Sequence, residues 1–226
     1  MTEAERFRFD LQGYLVRRGA LSAGELAALG AAIDVVGVPP PGPDLASQRL
    51  TDFLPVARRF RDLIDHPAVL DVVRETCGPH VRLDHAYGIV MASGTSGLSL
   101  HGGAMPFDPA QYYVTSGPRI HTGLVAVQWV LVDHPPGGGG FVCVPGSHKA
   151  AFPLPRDVDP ELLVEVPMRA GDVVIFSEAL IHGTLPWRAP HQRRTLLYKY
   201  SPGSSAWAEC LWTDELRAMC TPRQRL

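Results

Sequence analysis

From Val81 onward the chain is cut into short apolar runs by glycine and proline, and this punctuation limits the fold more than any other feature. Proline cannot sit inside a helix or a central strand without loss, and glycine weakens both. The 22 glycines and 21 prolines therefore confine regular structure to short segments. Residues 81–91 alternate roughly as a half-buried strand does, 123–132 is apolar enough for a strand buried on both faces, and 140–145, 164–167, 172–176 and 195–200 complete the series. The first third has a different period. Ser22 can cap a helix whose Glu25 lies three residues on, and Leu26, Leu29 and Ile33 then share one face. Residues 53–64 and 68–76 read as two more helices, the second entered through His66-Pro67, while 7–16 could open the chain with a short strand. The proline-rich stretch 39–43 reads as a loop or lid, 210–217 as a short helix and 222–226 as a frayed tail.

Helices first and many strands later imply an α+β protein with a β-sandwich or jelly-roll core. No internal repeat is visible, and 1–226 reads as one domain, with a helical part at about 1–79 and the β core at about 80–203. The 21 basic and 23 acidic residues nearly cancel, which argues against a nucleic-acid-binding surface. The first residues lack the apolar core of a signal peptide, and no apolar run is long enough to span a bilayer. Cys77, Cys143, Cys210 and Cys220 are too widely spaced for a C-x-x-C motif. The expectation is a cytoplasmic protein with free thiols, no membrane partner and no obvious carrier-protein extension.

Chemistry concentrates where strand-like runs end. His101 and His182 each close an apolar run beside glycine, and Arg193-Arg194 follows the second histidine. Two imidazoles converging on one metal, with an arginine behind them for an anion, describe a metal-dependent oxygenase site. His66, His80 and His191 lie beside prolines in expected loops; any one of His85, His121 and His134 could line a pocket.

The motifs that surround these residues carry a resemblance. Phe9-Asp-Leu-Gln-Gly-Tyr14, Gly138 to Lys149 with its Pro-Gly-Ser-His turn, Ala170-Gly-Asp-Val-Val-Ile-Phe176 and Leu180-Ile-His-Gly183 followed by Arg193-Arg194 occur in order along nearly the whole chain. Together they resemble the phytanoyl-CoA dioxygenase family of Fe(II)- and 2-oxoglutarate-dependent oxygenases. The resemblance implies a double-stranded β-helix with the N-terminal helices packed outside. It makes His101 and His182 the protein ligands of Fe(II), and O2 the oxidant. It makes Arg193 the guanidinium that forks onto the distal carboxylate of 2-oxoglutarate, a task its planar donors suit. His148 in the Pro-Gly-Ser-His turn reads as structural. Gln128 and Trp129, on the central apolar run, are the further candidates to face the cosubstrate.

The chain departs from the family at Gly103, where the usual His-x-Asp motif carries its carboxylate. In halogenating relatives a small residue there makes room for chloride, so the leading expectation is chlorination of an unactivated C–H, with chloride as a further cofactor. The alternatives are a hydroxylase, epimerase or desaturase whose third ligand is water or a carboxylate from elsewhere, with Asp108 and Asp84 as candidates, and a family member that only binds a ligand. Residues 102–120, rich in glycine, proline and aromatics, read as a lid over a small-molecule substrate. Arg119, assigned with Gly103 to the catalytic set, and His121 could meet an anionic group such as phosphate, which admits a nucleoside or nucleotide.

Overall fold

The computed structural model describes residues 1–38 and 47–225, so the expected loop at 39–43 lies outside the described residues. Helix α1 (Glu3–Gln12) starts at a capping box between Thr2 and Glu5 and stops at Gly13, whose φ of 84° ends it in the left-handed region. The expected strand at 7–16 is thus mostly helix, and β1 (Tyr14–Arg17) begins only after that stop. Helix α2 (Ala23–Val36) carries the expected Ser22–Glu25 capping box and buries Leu29 and Ile33. After β2 (Gln48–Leu50) comes α3 (Arg58–Asp62), much shorter than the helix expected over 53–64. Pro55, with no N–H to give, stands in the turn that replaces the missing part. Helix α4 (Pro67–Cys77) is capped by His66 and opens on Pro67, as its sequence predicts.

Ten strands follow: β3 (Arg82–Met91), β4 (Leu98–His101), β5 (Tyr113–Ser116), β6 (Arg119–Thr122), β7 (Val125–Val130), β8 (Gly140–Cys143), β9 (Val164–Glu165), β10 (Val173–Ser177), β11 (His182–Leu185) and β12 (Arg193–Ser201). They form a major sheet in the order β1-β10-β7-β12-β3-β2, a minor sheet β4-β11-β8-β9 and the separate hairpin β5-β6. Every neighbouring pair is antiparallel. The helical third therefore also gives the major sheet both its edge strands.

Strand alternation sorts side chains into two layers. Val127, Trp129, Ile175, Leu196, Tyr198 and Tyr200 pack outward in one cluster with Leu29, Ile33, Phe60, Val69 and Val73 of the helices. Ala126, Val130, Val174 and Phe176 pack inward against Phe141 and Cys143 of the minor sheet. Two antiparallel sheets facing each other, with helices behind one of them, make a jelly roll of the double-stranded β-helix type. At the far end, α5 (Asp214–Met219) is capped by Thr213. The tail beyond it is docked rather than frayed: Arg223 pairs with Asp65, and Gln224 donates to the Arg61 carbonyl and the Asp65 carboxylate.

The Pro-Gly-Ser-His turn braces this frame. The Ser147 hydroxyl accepts from the Ile181 N–H at 2.7 Å, and His148 lies 3.0 Å from the Asp10 carbonyl through Nε2. A Cβ on Gly13 would stand 2.6 Å from His148 Nδ1, so helix α1 can end here only at glycine. Burial holds the His148 imidazole down at about 4 and His134 at about 2, against an ordinary 6.5. Both rings stay neutral in the folded chain while the unfolded chain takes up protons below 6.5. Their contribution to stability is therefore complete above pH 6.5 and is lost as pH falls, by about 1.4 kcal/mol per unit for each group. Urea melts of the metal-free protein should give a lower midpoint at pH 5 than at pH 7, with a shallower dependence in His148→Asn. Equal wild-type midpoints would contradict the assignment.

Candidate metal and anion site

His101 and His182 lie directly opposite each other on β4 and β11, with ring centroids 4.2 Å apart. Two glycines let these strands close. A Cβ on Gly97 would stand 1.9 Å from the Thr184 carbonyl oxygen, and one on Gly183 would stand 2.7 Å from that of Leu98. Each ring is oriented in the same way. His101 Nδ1 lies 2.9 Å from the Ser99 carbonyl and His182 Nδ1 lies 2.7 Å from that of Leu180. A carbonyl only accepts, so Nδ1–H donates in both rings and leaves each Nε2 lone pair for a metal. His182 is buried and packs on Phe176 at 4.6 Å, while His101 is exposed at the strand end.

Beside them stands a residue that sequence reasoning passed over. The carboxylate of Glu178, four residues before His182, lies 3.9 Å from His182 Nε2 and pairs with the ammonium of Lys199. Burial alone would push this carboxyl up, but the Lys199 ammonium outweighs it and holds Glu178 well below the usual carboxylate range. Among the described residues, no three His, Cys, Asp or Glu side chains are already gathered as a finished metal site. An acid four residues before a candidate ligand was the available signal, overlooked because the expectation of a replacement carboxylate fell on Asp108 and Asp84.

The inner face of β12 presents Arg193, Thr195, Leu197 and Lys199, because Leu196, Tyr198 and Tyr200 belong to the helical layer. Arg193 is wholly buried. Its Nη1 lies 3.4 Å from the weak acceptor Met91 Sδ, and its Nε and Nη2 have no partner. A buried cation without a counter-ion is costly, so this arginine fits an anion brought in from outside. His134, both of whose ring nitrogens are also unpartnered, adds polar capacity near it. Arg194 turns the other way, to Asp34 at 2.8 Å. The donor set thus fits a divalent metal with a dicarboxylate cosubstrate: two open imidazole nitrogens at one end of the barrel, and an uncompensated guanidinium on its inner wall.

Other expectations are redistributed. Gln128 pairs with Leu197 and Val174 on the inner face, buried, with its Nε2 unpartnered. Trp129 pairs with Leu196 on the outer face and meets His66 edge-on at 5.0 Å, so alternation turns it away from the cosubstrate position. Arg119 is exposed at the turn end of the β5-β6 hairpin, which packs on α4, and among the described residues no contact links it to the histidine pair or to Arg193. The hairpin is fastened by Tyr113, which donates to Asp10 at 2.7 Å, so of the expected lid only 102–112 is irregular, with Phe107 exposed. Asp84 accepts from the Trp207 and Ala208 N–H groups, and Asp108 from Ala110, so each anchors backbone. His85 and Tyr87 do reach the inner face, opposite Lys199 and Leu197, stacked 5.8 Å apart with the Arg49 guanidinium 4.4 Å over the Tyr87 ring.

Solved structures share this fold. HygX from Streptomyces hygroscopicus, solved with nickel and 2-oxoglutarate bound, is 27% identical, with a TM-score of 0.83 over 96% of this chain and 94% of its own. The same protein is also known with nickel, 2-oxoglutarate and hygromycin B bound (27%, TM-score 0.82, with the same coverage). SnoN, an α-ketoglutarate-dependent epimerase of nogalamycin biosynthesis, shares the fold at 22% identity and a TM-score of 0.68 over 88% of this chain and 82% of its own. No curated protein is a significant match. The family model for phytanoyl-CoA dioxygenase (PhyH) matches residues 9–195, which include both histidines and Arg193. The chain belongs to the PhyH family of Fe(II)/2-oxoglutarate-dependent oxygenases.

Proposed function

We propose that this protein oxidises an unactivated C–H bond of a small, hydroxyl-rich natural product, using Fe(II), 2-oxoglutarate and O2. The observation that carries the reading is the buried, uncompensated Arg193 on the inner wall of a barrel whose rim holds His101 and His182 with both Nε2 atoms free. Bound iron, with 2-oxoglutarate decarboxylated to succinate, supplies the oxidising power. Arg193 would grip the distal carboxylate, and Gln128 offers a free amide on the same wall. The substrate class is argued from two supports. HygX, a relative above a quarter identical, is solved with hygromycin B bound. The His85–Tyr87 pair beneath Arg49 offers a flat aromatic face and donors of the kind that hold sugar rings. The nucleotide alternative loses its support with Arg119 on the hairpin.

Chlorination stands as a second reading because Gly103 brings no side chain to the metal. The buried negative charge of Glu178 beside His182 works against a chloride there. The test is anaerobic addition of Fe(II) and 2-oxoglutarate, read by the visible metal-to-ligand charge-transfer band, followed by O2 with aminoglycosides and other glycosides and mass analysis of products. A band and a product that gains one oxygen or loses two hydrogens is the expected result. Chlorine incorporation in chloride buffer would establish the second reading. A folded protein with no band would remove both and leave a binding protein.

A further inference from the structure

We propose that Glu178, not residue 103, supplies the carboxylate that completes the protein's hold on the metal. The inference rests on the family reading of His101 and His182 as ligands.

The backbone after His101 is shaped against a ligand at 103. Gly102 and Gly103 have φ of 89° and 109°, a region that side-chain-bearing residues rarely adopt. A Cβ on Gly103 would find the Ile181 side chain as its nearest neighbour, at 3.3 Å. A Cβ on Gly102 would stand 2.6 Å and 2.7 Å from the Leu180 and Glu178 carbonyl oxygens. The glycines therefore do more than omit a carboxylate: they let the His101 strand end close onto the turn that carries Glu178. That turn is fixed by the Glu178 N–H to the Leu124 carbonyl (2.9 Å) and the Gly103 N–H to that of Ala179 (3.0 Å).

The second observation is the direction of Glu178. Its side chain is buried, and Oε1 faces the Nε2 edge of His182 at 3.9 Å. With Nδ1–H committed to Leu180, the ring presents a lone pair rather than a proton toward Oε1, which takes its hydrogen bond from Lys199 instead. The gap between Nε2 and Oε1 is one that a metal cation can bridge. Two ligand atoms each about 2.1 Å from one first-row metal ion stand about 3 to 4.2 Å apart, and the observed separation falls inside that span. Lys199, on β12 of the same sheet as β10, donates to this same Oε1. Lys199 is thereby a positioning residue.

The test uses Co(II) as the metal probe, titrated anaerobically in the presence of 2-oxoglutarate and followed by calorimetry and by the visible d–d bands. Glu178→Gln should weaken Co(II) binding by about 10-fold or more and change the band envelope. Formate should restore binding to Glu178→Ala, because it returns a carboxylate without the tether. Removing the acid alone strands the Lys199 charge, so Glu178→Gln/Lys199→Met provides the same measurement in a protein without that buried ion. Wild-type affinity and spectrum in the double variant, with binding lost in His101→Ala, would overturn the role of Glu178 while leaving the family site intact. Unchanged binding in His101→Ala would instead overturn the metal reading itself. A Co(II)-loaded crystal structure of the wild-type chain needs no variant: a Glu178 oxygen bonded to the metal supports the proposal, and a carboxylate still held by Lys199 alone refutes it.

Discussion

Arg193→Met should abolish 2-oxoglutarate binding while leaving the metal-free fold as stable as before or more so. The two effects have one cause. In the folded chain the guanidinium is fully buried, with Nε and Nη2 unpartnered, and burial draws its pKa down to about 10. Methionine fills a similar channel beside Met91 without a charge to desolvate, and removing an uncompensated buried ion relieves several kcal/mol. Binding runs the other way. A bidentate carboxylate pair supplies two charge-assisted hydrogen bonds of about 1.5–3 kcal/mol each, so their loss weakens affinity by about 100-fold or more. Titration of the charge-transfer band and a thermal melt of the metal-free variant measure both. Unaltered affinity for 2-oxoglutarate would show that the cosubstrate is held elsewhere. A sharp fall in melting temperature with affinity retained would make Arg193 structural.

Gly97→Ala should damage stability and metal binding together, although residue 97 touches neither histidine ring. The added methyl would stand 1.9 Å from the Thr184 carbonyl oxygen and 3.0 Å from Leu185 C and Pro186 N, all backbone. Nothing flexible can yield, so β4 must draw away from β11, and His101 moves with it because it pairs with His182 three residues beyond Leu98. Overpacking of this kind costs about 1–3 kcal/mol, and here the upper end applies because only backbone can shift. A lower urea midpoint with Co(II) affinity reduced about 10-fold or more is the expected result. A variant with normal stability and metal affinity would mean that the closeness of β4 and β11 does not set the histidine pair. Gly19→Ala is the comparison, since its Cβ meets nothing within 4 Å, although its positive φ adds modest strain of its own.

Legibility in the sequence followed the range of the forces concerned. The capping box at Ser22, the Pro67 start of α4 and most strands from 81 onward were readable because caps, turns and alternation are written in adjacent residues, whereas the Thr2 box went unread. Where local cues misled, a neighbour overruled them: Pro55 cut α3 short, and Gly13 marked a helix end where strand-like residues 7–16 suggested an extended opening. The tail beyond Cys220 gained order from Asp65, a partner far away in the chain. Site assignments divided in the same way. Arg193, read from its spacing after His182, faces inward, but Trp129, adjacent to the inward Gln128, faces the helices, since a one-residue step reverses the face. Arg119 looked like a mouth residue only while the hairpin carrying it was undetected.

By itself the sequence determined the class of fold, the two strand-end histidines, the arginine that follows them and the lack of an acid at Gly103, because each is a matter of residue type and local spacing. Only the tertiary structure decided that His101 and His182 meet, that Arg193 is buried without a counter-ion, and that Glu178 and Lys199 occupy the ground beside the histidine pair. Those are outcomes of register between distant strands, where the pleat sets the face and backbone closeness at glycine sets the distance.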